Sequence, residues 1–227
     1  SQVIRERGWA YWHQLFNPRQ LLTNGLLMKL VDQHAKTKEE KIVGLLGINK
    51  CIDWNSKLCV WHNGGHVENS QNTFLNQALN SLYNFGVRAL INISNSWFVT
   101  IKSANLEDNR ITIVQDARKI SNDSDIWITD PPYADAVNYH ELSEYFLAWD
   151  KKIIRNIFPD WYVDSKRVLA VKGTGPNFNQ SMVQIYKNLA DYMPDHGMQV
   201  VMFTHQDVSV WADLTLILWE AGLRVAA

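Results

Sequence analysis

The stretch Ile126-Trp127-Ile128-Thr129-Asp130-Pro131-Pro132 limits the fold of this chain more than any other. Four β-branched or aromatic residues in a row read as a buried strand. Two successive prolines cannot extend it, because each fixes φ near −65° and neither has an N–H for the ladder. The strand therefore ends at Asp130 and passes the chain to a stiff turn. A short apolar strand buried on both faces belongs to a parallel sheet.

The second half of the chain repeats this alternation. Ile111-Thr112-Ile113-Val114 and the run from Met198 to Phe203 read as further strands, and Leu223-Arg224-Val225 begins a fourth. Between them the spacing predicts a helix from about 138 to 155, with Leu142, Tyr145, Phe146 and Trp149 inward, and another from about 179 to 192. A last helix is capped by Asp207, carries Leu214, Leu216, Ile217 and Leu218, and is stopped by Gly222. Trp127, Trp149, Trp211 and Trp219 fall at in-facing positions. Strands alternating with helices predict a doubly wound α/β sheet.

The first half reads as helical. Asn17-Pro18 is a cap followed by a first-turn proline, opening a helix that lasts to Gln33 or Ala35. Thr37 and Glu40 form a capping box for a second, with Ile42, Leu45, Leu46, Ile48 and Ile52 on one broad face. A third takes in Phe74 to Phe85. The chain thus divides into a helical segment, 1–90, and an α/β part, 91–227.

With 46% hydrophobic and 20% charged residues, the chain is excluded from the disordered class. No apolar run approaches the ~18 residues of a spanning helix, so a soluble, cytoplasmic protein is expected. Cys51 and Cys59 are too few for a disulfide framework. With His62 and His66 they hold four zinc-ligand types but lack the short C-x2-4-C clip, and they read as core cysteines before a polar turn. The net charge is −1, with a mildly basic first 60 residues, a balance that does not by itself announce nucleic acid.

The chemistry concentrates at Asp130-Pro131-Pro132-Tyr133, because open α/β sheets bind ligands at the carboxyl ends of their strands. This tetrapeptide resembles the D-P-P-Y motif of S-adenosylmethionine-dependent amino-methyltransferases, which modify the exocyclic nitrogen of adenine or, less often, cytosine. The residue types fit that chemistry. A ring amine is a poor nucleophile and has to be held by acceptors while the methyl group approaches in line. Asp130 offers a carboxylate, Pro131 its carbonyl, and the Pro131-Pro132 pair keeps both in place. Tyr133 offers a face for a base taken out of its stack.

The likeness extends through Tyr139 to Phe146, Asp195 to His205 and Trp211 to Gly222, and to the segments 15–21, 53–59 and 76–80. Over most of its length the chain is similar to large adenine-specific DNA methylases with an N-terminal domain of unknown function. The resemblance implies a Rossmann-like methyltransferase sheet, partial here, with a helical N-terminal segment. It also implies S-adenosylmethionine as cofactor, DNA as partner and a role in restriction-modification or phage defence. Asp116 and Asp130 would then lie at the cofactor, and Tyr133, Lys172 and His205 at the nucleic acid. Asp116 reads equally as the cap of the Ala117-Arg118-Lys119 turn.

The family's donor loop, a glycine turn after a strand, has no match upstream of the helices. The run from Val168 to Gly175 ends in a G-x-G that would stand in for it only in a permuted order. Together with a start at Ser1 rather than methionine, this predicts a C-terminal fragment that is inactive alone and pairs as a homodimer through its exposed sheet edge. Two other functions stay open: an amino-methyltransferase acting on RNA or a protein amide, and a non-catalytic recognition module.

Overall fold

The computed structural model describes residues 7–62, 69–75, 97–98, 111–132, 139–161, 171 and 175–226. The chain divides into two compact units, Ser1–Arg110 with Tyr145–Pro159, and Ile111–Glu144 with Asp160–Ala227.

In the first unit, helices α1 (Pro18–His34) and α2 (Lys38–Asp53) begin where local chemistry dictates. The Asn17 side chain accepts from the Gln20 N–H at 2.8 Å while the Gln20 side chain accepts from the Asn17 N–H at 2.9 Å. Thr37 and Glu40 form the same reciprocal pair at 3.1 and 3.2 Å. Each satisfies N–H groups that a helix start leaves without partners. The two helices approach closely at Gly44, where a Cβ would stand 2.6 Å from Val31 Cγ1. Two short strands, β1 (Trp61–His62) and β2 (Asn69–Ser70), pair antiparallel beyond α2.

Helix α3 (Tyr139–Ile157) gives this unit its residues from Tyr145 onward. Tyr145, Trp149, Ile153 and Ile157 recur every four residues and pack with Leu15, Phe16, Leu45, Ile48 and Ile52. Tyr145 is the hub. Its ring lies 5.8 Å from Phe16 and 5.0 Å from Phe74, and its hydroxyl donates to the Ile52 carbonyl at 2.7 Å. Beside it Ser56, Cys59 and Thr73 satisfy one another, with Ser56 Oγ 2.8 Å from Thr73 Oγ1.

In the second unit β3 (Ile126–Thr129) pairs parallel with β4 (Met198–Val201), Ile126 opposite Met198 and Thr129 opposite Val201. Alternate residues point to opposite faces. Trp127 and Val201 turn toward helices α4 (Pro176–Asp191) and α5 (Val208–Glu220). Phe178, Met182, Tyr186 and Leu189 form the buried stripe of α4, and Leu214, Ile217, Leu218 and Ala221 that of α5. The other sheet face, Ile126, Ile128, Met198 and Val200, is exposed.

Among the described residues the protein is mixed α/β and mostly helical, with a two-stranded parallel sheet in place of the several strands that a doubly wound fold requires. Ile111–Val114, expected as a strand, is unpaired coil, with Ile111 83% exposed. Leu223–Val225 is also coil. Both runs have strand-like composition, but a strand exists only where a neighbour completes its ladder. Helix α4 starts at Pro176, three residues earlier than expected, because Gly175 at φ 85° caps it and proline suits its first position. Phe74 and Leu75 lie in a turn, and the rest of the third predicted helix lies outside the described residues. Trp211 and Trp219 are 43% and 62% exposed rather than core, since α5 buries the stripe through Leu214 and Ile217 instead. No helix among the described residues is long and apolar enough to cross a membrane.

Candidate functional site

The end of β3 is fixed from two sides. The Thr129 carbonyl accepts from the Met202 N–H at 2.8 Å, just past the end of β4. The Thr129 hydroxyl lies 3.3 Å from the Tyr186 hydroxyl of α4. Tyr186 is 1% exposed; burial raises its pKa, and the nearby negative charge of Asp130 raises it further, so the phenol stays protonated. The next residue, Asp130, is exposed and makes no hydrogen bond among the described residues. Pro131 is buried, which anchors the turn beneath that carboxylate.

Pro132 then lines a cavity of about 140 Å³ at the carboxyl ends of both strands. Its walls are apolar, chiefly Phe178 and Met182 of α4, Phe203 beyond β4, and Leu214 and Ile217 of α5; Asn179 and Asp213 add polar groups. The volume is comparable to cavities that hold a single six-membered ring. An uncommitted carboxylate on a braced turn beside a ring-sized apolar cavity can hold a planar ligand by its N–H edge.

Asp116 is a cap. Its Oδ1 accepts from the Arg118 N–H at 3.0 Å, and both oxygens accept from the Arg118 guanidinium, with Nη2 to Oδ2 at 2.7 Å. The hydrogen bond from Arg118 holds this carboxyl below its usual range. Asn188 of α4 donates to the carbonyls of Ala117 and Ile120 and so fixes the same turn. The strand expected to precede Asp116 is absent, as the coil at Ile111–Val114 shows.

Neither family models nor curated proteins nor solved structures match the chain. The residues themselves therefore carry the functional argument.

His205 follows Phe203 on the segment leaving β4. Its Nδ1 accepts from the Asp207 N–H at 2.9 Å, and its carbonyl accepts from Trp211 Nε1 at 3.0 Å. The imidazole is thus tied to the start of α5, where Asp207 caps Ser209 at 2.8 Å. Tyr133, Lys172, Gly173 and Thr174 lie outside the described residues. The structure brings Asp130, Pro131 and Pro132 to one strand end and leaves Asp116 as a separate cap. Cys51 and Cys59 are buried free thiols, and burial raises the Cys51 pKa to about 11. Among the described residues no cluster of three His, Cys, Asp or Glu side chains could hold a metal ion.

Sequence reasoning missed Tyr186 and the cavity wall. The spacing of Phe178, Met182 and Tyr186, four residues apart, marks one buried helix face, yet nothing in it says that the face ends beside Asp130.

Proposed function

We propose that this chain carries the amine-binding half of an S-adenosylmethionine-dependent methyltransferase that acts on the N6 nitrogen of adenine in DNA, of restriction-modification or phage-defence type. The observation that carries this reading is the exposed Asp130 carboxylate on a proline-braced turn, at the carboxyl end of a parallel strand and next to a ring-sized apolar cavity.

In this reading Asp130 accepts one N–H of the adenine amine and the Pro131 carbonyl accepts the other, which turns the nitrogen lone pair toward the methyl donor. Tyr133 stacks on the extruded base. S-adenosylmethionine, when bound, supplies an electrophilic methyl group on a sulfonium. As the new C–N bond formed and the sulfonium C–S bond broke, leaving the neutral thioether, the nitrogen would become cationic, and Asp130 would stabilise that charge until the proton passed to water. The described residues fit the acceptor better than the donor, because both oxygens of Asp116 are taken by Arg118. We therefore assign the donor loop to residues outside those described. Lys172 and His205 are the proposed phosphate contacts. The alternative reading is a recognition module that binds the base without modifying it.

The test is methylation of unmodified DNA and RNA by the full reading frame that contains this chain, followed by mass spectrometry of the nucleosides. The expected product is N6-methyldeoxyadenosine, with Asp130→Ala lowering the rate by about 100-fold or more. Base binding without methyl transfer would identify the recognition module, and an Asp130→Ala protein keeping over half of the activity would remove Asp130 from the mechanism.

A further inference from the structure

Besides the Tyr145–Ile52 hydrogen bond, a pair of polar side chains joins α2 to α3 inside the first unit. Asp150 of α3 is 3% exposed, and Asn49 Nδ2 of α2 donates to its Oδ2 at 2.7 Å. Two oxygens are left over. Asn49 Oδ1 and Asp150 Oδ1 are both buried and meet no donor among the described residues. An ionised Asp150 can accept but not donate, so it leaves both oxygens unsatisfied.

Among the described residues no cation offsets a charge at this place. Of the charged groups on the packed elements, Lys50 donates to the Phe98 carbonyl at 3.0 Å, and Lys152 pairs with Asp32 of α1 at 3.5 Å. Asp53 accepts from Asn72 at 3.3 Å. None of these is a cause of the shift at Asp150. Burial raises its carboxyl from 3.8 to about 7, and the Asn49 bond opposes that rise.

One proton provides the missing donor. A carboxylic acid and a primary amide are planar groups that each present a donor and an acceptor, and side by side they make N–H···O and O–H···O bonds together. We propose that Asp150 is carried as the neutral acid in a two-bond pair with Asn49, and that this pair is a pH-sensitive latch between α2 and α3. Losing the proton removes the O–H donor and leaves a charge in an apolar core.

The folded-state pKa lies above the unfolded one, so the native state binds the extra proton between them. The latch is fully closed below about pH 4, weakens as pH rises, and has lost its contribution once pH passes the folded value near 7.

Amide hydrogen exchange in α2 and α3 of the whole chain tests this, with opening constants corrected for the intrinsic pH dependence of exchange. From pH 5 to pH 8 the opening constant should rise about 100-fold in the wild type. Asp150→Asn keeps both hydrogen bonds without a titrating group. It should flatten that dependence and open less than the wild type at pH 8. A wild-type slope that persists in Asp150→Asn, or a variant that opens more readily at pH 8, would overturn the proposal. The carboxyl carbon shift of Asp150, followed by NMR in the wild type, decides independently of the variant's folding. The latch requires a protonated signal at pH 6, and an ionised signal at pH 5 rules it out.

Discussion

The Tyr186 hydroxyl on α4 lies 3.3 Å from the Thr129 hydroxyl, one residue before the carboxylate at the centre of the candidate site. The pair ties the end of β3 to a helix that also walls the cavity. In the proposed reading Tyr186 is a positioning residue: it touches the strand and does not line the cavity. Tyr186→Phe should lower stability by about 1 kcal/mol, the net worth of one hydrogen bond. In urea unfolding the midpoint should fall with the slope unchanged. If the midpoint stays where it was, Thr129 is held by its backbone bond to Met202 alone.

Stacking and proton transfer make different demands on Tyr133. A stacking ring does not need its hydroxyl, so Tyr133→Phe should keep most of the methyl transfer. Tyr133→Ala should lose the ~1–3 kcal/mol that a base–aromatic contact supplies, or roughly 10- to 100-fold in rate. Equal losses from both changes would assign the phenol an acid, base or anchoring role.

Gly44→Ala sets two effects against each other. Alanine favours the helix by up to about 1 kcal/mol, but its Cβ would meet Val31 Cγ1 at 2.6 Å, and overpacking typically costs ~1–3 kcal/mol. A net loss of about 1 kcal/mol is expected. Adding Val31→Ala should make Gly44→Ala far less harmful in a double-mutant cycle, and additive losses would show that the contact relaxes elsewhere.

What could be read from the sequence was what a few neighbouring residues decide. Asn17 with Gln20 and Thr37 with Glu40 place two helix starts because each pair closes within three residues. The end of β3 just before Asp130 follows from the prolines alone. The strand-like runs at Ile111–Val114 and Leu223–Val225 failed because pairing depends on a neighbour that composition does not supply. Trp211 and Trp219 were misplaced for a related reason: a helix that is apolar nearly all round does not say which side meets the core. At the candidate site, Asp130 was legible as a motif. Its brace at Tyr186 lies 57 residues from Thr129 and was not. Asn49 and Asp150, 101 residues apart, share only a tertiary contact.

The hydroxyl of Tyr145 reaches the carbonyl of Ile52 across 93 residues, and Ile153 closes the same core. During synthesis, the amino-terminal helices emerge long before the side chains that seal them. Leu15, Phe16 and Ile48 gain the α3 part of their packing only once Tyr145 to Ile157 have been made. The segment 111–144, which belongs to the other unit, is made in that interval. The core of the first unit is therefore completed only after that segment has been made, and until then its apolar face is the kind of surface that chaperones bind.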